Sequence, residues 1–144
     1  MVTYHALFEP DRKAAGFVVT FPDFRYGVTQ GDTLKEATEM ARDLLGGLIA
    51  DLMEEGDELP RASKRRGRHY RLVSLPALQS AKVELYRAFR ASGMRKAELA
   101  RRIGIQKSNL DRLFDLNHQS RLDQLEAAFA ALNKHIRVEV RDAA

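Results

Sequence analysis

The 144-residue sequence contains no cysteine. That excludes disulfide frameworks, thiolate metal sites and cysteine nucleophiles, and it suits a reducing cytoplasm, the expected location. No apolar run approaches the roughly 20 residues needed to span a bilayer, so no membrane partner is expected. Met1-Val2-Thr3-Tyr4 lacks a basic stretch followed by an apolar one, so no secretory leader is expected. The four histidines, His5, His69, His118 and His135, pair neither with one another nor with acids at metal-ligand spacing on a shared helix. The chain also lacks a glycine-framed serine turn, a phosphate-cradling glycine loop, internal repeats and low-complexity segments. No catalytic residue, metal or cofactor is expected.

What is present is charge, unevenly spread. The formal net charge is +4. Residues 1–62 carry 12 acidic against 6 basic side chains, net −6, and residues 63–144 carry 18 basic against 8 acidic, net +10. A basic half fits a polyanion, whereas an acidic half repels one and suits a cationic protein; solvated surface is the plainer explanation of either.

The first half reads as a small α+β layer. Thr3 to Phe8 alternates, with a turn at Glu9-Pro10-Asp11, and Gly16 to Phe21 is β-branched and aromatic up to Pro22. A third strand is expected over Tyr26 to Thr29. Thr33 and Glu36 form a capping box. It opens a helix whose stripe is Leu34, Ala37, Ala41, Leu44, Leu45, Leu48, Ile49 and Leu52. Gly46-Gly47 interrupts that helix, and close approach of another backbone or a kink would account for it. Residues 62–68 read as a charged, flexible stretch. Tyr70 to Leu75 reads as a fourth strand, and Pro76 as the domain boundary. The order β-β-β-α-β leaves one sheet face uncovered, so self-association or a partner is expected.

The second half, residues 77–144, is expected to be helical. One helix runs from Ala77 to Ala91, with Leu78, Ala81, Leu85, Ala88 and Phe89 on its apolar side. Between Ala100 and Leu113 the spacing is that of a DNA-reading helix-turn-helix. Ala100 admits the second helix, Gly104 takes the turn, and Leu99, Ile103, Ile105, Leu110 and Leu113 form the apolar wedge. Gln106, Lys107, Ser108, Asp111 and Arg112 then face outward toward base edges. Arg95, Lys96, Arg101 and Arg102 are placed to touch phosphates. An ordinary helical hairpin with a glycine cap uses the same residues, and each charge taken singly is better explained by solvation; the argument rests on their clustering about one motif. Ser120 is expected to cap a last helix through Leu132, with Leu122, Leu125, Phe129 and Leu132 buried. His135-Ile136-Arg137-Val138-Glu139-Val140-Arg141 alternates strictly, as a terminal strand would. Pairing with its own copy would give a homodimer or a higher homo-oligomer.

Glu9, Asp11, Asp23 and Asp32 stand at strand ends, where a nuclease collects metal-binding acids; turn formation and capping explain Asp11 and Asp32 as well. Phe24 and Tyr26, aromatics beside a turn in the acidic half, are candidate protein contacts, together with Asp23 and Asp32.

Phe21-Pro22-Asp23-Phe24, followed by Gly27-Val28-Thr29-Gln30-Gly31-Asp32-Thr33 and Glu36-Ala37, resembles the HicB-type antitoxins. The resemblance covers residues 1–76 and continues into a tail like the Xre-type helix-turn-helix of one branch of that family. Where the family commonly has Pro-Gly-Cys after the Phe-Pro-Asp segment, this chain has Arg25-Tyr26-Gly27. The resemblance implies a degenerate ribonuclease H-like domain over residues 1–76 without nuclease activity. It also implies a HicA-type toxin partner, a small basic ribonuclease that cuts messenger RNA, and binding of operator DNA to repress the pair's own promoter. Two other functions fit the same pattern: a stand-alone transcription regulator with a ligand-sensing first domain, and an active ribonuclease H-like enzyme.

Overall fold

Alternation in the first ten residues builds an inner strand of a four-stranded sheet. In the computed structural model, which describes residues 1–143, strand β1 spans Thr3–Pro10, β2 Phe17–Thr20, β3 Val28–Gly31 and β4 Tyr70–Ser74. The sheet order is β3-β2-β1-β4 and every neighbouring pair is antiparallel. Tyr4 pairs with Val73 and Phe8 with Val19. The period of two therefore sends Tyr4, Ala6, Phe8, Val19 and Val73 to one face, all buried. Helix α1, Leu34–Glu55, covers that face with Ala37, Ala41, Leu45, Leu48, Ile49 and Met53. The other face holds Val28 and Leu72, 65% and 64% exposed.

The capping box forms as expected, with one difference. The Glu36 amide donates to Thr33 Oγ1 at 3.1 Å, but the Glu36 carboxylate accepts from the amide of Asp32, not of Thr33. Strand β3 lies two residues later than its composition suggests, because Gly27 adopts φ +104° and belongs to the preceding turn. Gly31 closes the strand where α1 begins; a Cβ there would lie 2.3 Å from the Ala37 amide nitrogen, so only glycine admits the helix. Gly46 and Gly47 do not break α1, nor does close packing require them. A methyl at Gly47 would meet nothing within 4 Å, and one at Gly46 would make ordinary contact with Gln79 and Leu75.

Contacts divide the chain into two compact units, Met1–Ser80 and Ala81–Ala144. The division falls within helix α2, Ala77–Ser92. The second unit continues with α3 (Lys96–Ile103), α4 (Lys107–Phe114) and α5 (Leu122–Ala131). Its interior is built from Val83, Leu85, Tyr86, Leu99, Leu110, Leu113, Leu116, Leu125, Ala128 and Phe129.

Two expectations fail here, and a third concerns pairing that a single chain does not contain. Ser120 does not cap α5: the helix starts after Arg121 with no side-chain cap. The Ser120 hydroxyl instead meets the Arg112 carbonyl and the His118 ring. Leu122 is 48% exposed, because the first turn of α5 stands clear of the core and the buried stripe begins at Leu125. Residues 135–141 form no strand in the single chain, which among its described residues offers them no ladder partner.

Candidate functional site

The second unit's candidate site is built on Gly104. Its φ of +83° lets the chain turn sharply after α3, and its amide donates to the carbonyls of Ala100 and Arg101. The next amide, of Ile105, returns to Ala100 at 3.0 Å. A Cβ at Gly104 would meet nothing within 4 Å, so glycine is required by the backbone angle and not by space. Leu99, Ala100, Leu110 and Leu113 are buried and seat α4 against the rest of the unit.

That seating leaves Gln106, Lys107, Ser108, Asp111 and Arg112 exposed together. Asn109, not singled out from sequence, is exposed with them and accepts a hydrogen bond from the Arg112 guanidinium at 3.4 Å. Arg95, Lys96, Arg101 and Arg102 are exposed at α3. Two of the nine candidates engage each other: Lys96 Nζ lies 3.1 Å from Asp111 Oδ1, tying the start of α3 to α4. Arg102 pairs with Glu98 one turn back, at 2.9 Å.

Lys82 was also missed. Its side chain is fully buried, and Nζ donates to the carbonyls of Arg112, Asp115 and His118 at 2.9, 2.6 and 2.8 Å. These carbonyls lie at the C-terminal end of α4 and in the loop after it, where acceptors lack helical partners. Burial lowers the Lys82 pKa from 10.5, partly opposed by the nearby Asp115 carboxylate. A signal existed: Lys82 follows Leu78 by four residues and precedes Leu85 by three, on the apolar stripe of α2.

In the first unit, the turn from Phe21 to Gly27 gathers three of the four candidate contacts. Asp23 faces inward. It accepts from the Ser63 amide at 2.9 Å and from the Ser63 hydroxyl, with Arg65 3.8 Å away. Its carboxylate therefore clamps the 57–69 connection to the Phe21–Gly27 turn. Phe24 packs edge-on against Tyr4 and Phe21. Tyr26 is 59% exposed and its hydroxyl reaches toward Asp51 at 3.5 Å. Partial desolvation, then the charges of Asp51 and Glu55, push its pKa above 10.0. A groove of about 530 Å³ runs beside this turn, lined by Phe24, Leu48, Leu52 and Pro60, with Glu55, Asp57 and Glu58 giving it acidic character. Asp32 is exposed and apart from this groove's lining. Asp11 accepts from the Lys13 amide in its turn. Among the described residues, no three His, Asp or Glu side chains converge as a metal site.

The sequence family follows from residues 3–84, which match the model of the HicB-like antitoxins of bacterial toxin-antitoxin systems. The chain belongs to the HicB-like antitoxin family. Antitoxin HicB of Escherichia coli K12 is 36% identical over 121 residues, 84% of this chain and 87% of that one. Antitoxin HicB 1 of Photorhabdus laumondii is 32% identical over 137 residues, 95% of this chain and 86% of its own. A chain of a toxin-antitoxin complex from Streptococcus pneumoniae aligns with a TM-score of 0.46 at 26% identity, over 76% of this chain and 92% of that one. In this HicB-like antitoxin the Phe21-Pro22-Asp23-Phe24 segment has a structural job: Phe21 is core and Asp23 is the clamp on Ser63. No helix among the described residues is long and apolar enough to cross a membrane.

Proposed function

We propose that this antitoxin serves two partners in the cytoplasm. Its first unit, a degenerate ribonuclease H-like layer over residues 1–76, docks a HicA-type toxin and blocks its RNA-cutting surface sterically. Tyr26, Phe24 and Asp32 contribute contacts, and Asp23 holds the loop that presents Tyr26 and Phe24. Its second unit, over residues 77–144, reads operator DNA as a helix-turn-helix of Xre type and represses the operon.

The observation that carries the DNA-binding reading is the exposed arc of α4. Lys107, Ser108, Asn109 and Arg112 stand outside, while Leu110 and Leu113 hold the helix down. Arginine and asparagine are the side chains best suited to guanine and adenine edges in a major groove. Arg95, Lys96, Arg101 and Arg102 add phosphate contacts without sequence information. A dimer formed through residues 135–141 would present two such helices to half-sites about one helical turn apart. The ribonuclease alternative is weaker, since Asp11 and Asp23 are occupied in a turn and a loop clamp.

Titration of the duplex upstream of the operon with Arg112→Ala tests the assignment. The variant should lose roughly tenfold or more in affinity, as for one good base contact, while still co-purifying with the co-expressed toxin. Equal affinity of the variant and the parent chain across a salt series would reject Arg112 as a base reader.

A further inference from the structure

The connection from α1 to β4 concentrates cations that neither proposed partner uses. Residues 1–60 carry 12 acidic against 5 basic side chains, whereas residues 61–71 carry 6 basic and no acidic ones. Lys64, Arg65, Arg66 and Arg68 are all exposed. Arg65 is anchored, its Nε donating to Ser63 Oγ at 3.0 Å and its Nη2 lying 3.8 Å from Asp23. Lys64 and Arg66 make no ion pair among the described residues, although acids abound in the same unit.

The sheet register shows where these cations stand. Leu72 pairs with His5 and Tyr70 with Leu7, so these side chains occupy the face opposite Tyr4, Ala6 and Val73. Two contacts hold the connection on that face. His5 Nδ1 donates to the Ser63 carbonyl at 3.0 Å. Gly67 lies against the Tyr70 ring, whose Cδ2 would be 3.4 Å from a Cβ at Gly67. Residues 63–67 thus strap the face that α1 leaves uncovered. On the helix side, by contrast, Glu36, Glu39, Asp43, Asp51, Glu54 and Glu55 are exposed. The first unit therefore has an acidic helix side and a cationic strap across its sheet side, and a cationic protein suited to the first is repelled by the second.

We infer that the strapped sheet face binds a single-stranded polynucleotide. Exposed cations in an unbroken run repel one another, and a polyanion relieves that repulsion while releasing its own counterions. Three of the strap's four cations are arginine, whose planar fork matches phosphate and stacks on bases. Beside the strap Leu72 is 64% exposed, and Tyr70 and His69 are half-buried. Rings and apolar side chains on a sheet give unpaired bases a surface to stack on. A duplex keeps its bases inside and would meet the cations alone. The single strand is the polyanion that uses both the charges and the rings. This goes beyond the two-partner reading and stands whether or not α4 reads DNA.

Anisotropy titration of a short, unstructured, labelled RNA with the full chain over a salt series tests this. The double variant Lys64→Gln/Arg66→Gln changes only exposed side chains without ion pairs, so the folded unit is unaffected. Each neutralised phosphate of a single strand contributes about 0.7 to the slope of log affinity against log salt. Losing two such contacts should lower the slope by about 1.4 and the affinity at about 0.1 M salt by roughly tenfold or more. Lys35→Gln/Arg42→Gln removes the same charge from exposed positions on α1 and should bind the strand as the parent chain does. If the parent chain fails to bind the strand at low salt, the inference falls. Equal losses from the two double variants would show that binding follows net charge and not the strap. A duplex of the same sequence bound as tightly as the strand, with the same loss in Lys64→Gln/Arg66→Gln, would overturn the single strand as the occupant. Co-sedimentation with phosphatidylserine vesicles that this variant abolishes, with strand binding intact, would make the face a lipid surface instead.

Discussion

Lys82→Met should destabilise the helical unit by about 3 kcal/mol. The ammonium makes three short bonds to the carbonyls of Arg112, Asp115 and His118, and hydrogen bonds to a charged group are worth about 1.5–3 kcal/mol each. Two effects reduce the sum. Each carbonyl also accepts a backbone amide, from Asp115, His118 and Ser120 respectively, so none is left wholly unpaired. Methionine further escapes the desolvation that a buried ammonium suffers, itself several kcal/mol. Lys82→Met leaves no charge behind, only carbonyls that each keep one amide, so the net loss is about 1 kcal/mol per bond, the usual net worth of a hydrogen bond. Urea unfolding followed by far-ultraviolet circular dichroism reads the change, and amide exchange at Asn117, His118 and Ser120 locates it. A loss below about 1 kcal/mol would refute the view that Lys82 secures the end of α4. A pH series gives a second arm. Burial lowers the Lys82 pKa in the folded chain below its unfolded value of 10.5. Between the two values the unfolded chain binds more protons, so stability relative to Lys82→Met should rise with pH across that window. The same contribution should be lost as pH falls through the folded pKa. An opposite slope would mean that the three carbonyls outweigh burial.

Gly47→Ala should stabilise the chain by about 1 kcal/mol, since the new methyl meets nothing within 4 Å and α1 is continuous through the site. Gly31→Ala, whose methyl would lie 2.3 Å from the Ala37 amide, should cost at least about 2 kcal/mol by overpacking; equal midpoints for the two variants in thermal unfolding would contradict this contrast. Asp23→Ala should cost about 1–3 kcal/mol by removing the acceptor of the Ser63 amide and hydroxyl. It should also speed tryptic cutting between Arg61 and Arg68, and an unchanged cutting rate would show that Asp23 is not the clamp.

How far the sequence reveals this molecule depends on the distance between a residue and its partner. The Thr33 cap is settled within four residues, and the alternation of β1 is settled within a strand. The turn at Gly104 is set by bonds to Ala100 and Arg101. Those features were legible because their physics is local. Asp23 was misplaced as an outward contact because its partner Ser63 lies 40 residues away, and nothing adjacent distinguishes a clamping carboxylate from a solvated one. Lys82 escaped for the same reason, with carbonyl partners 30 to 36 residues distant. Its place on an apolar stripe was nevertheless visible. A lysine there must either leave the core or find acceptors, and burial of a charge without them is too costly to persist. A charged residue out of phase with the polar face of a helix therefore signals an unseen cluster of acceptors. In this antitoxin that cluster closes the helix proposed to read DNA. The 135–141 segment is the remaining case: its apolar and charged residues alternate as in a strand, but ladder bonds must come from a backbone that the described residues of one chain do not offer.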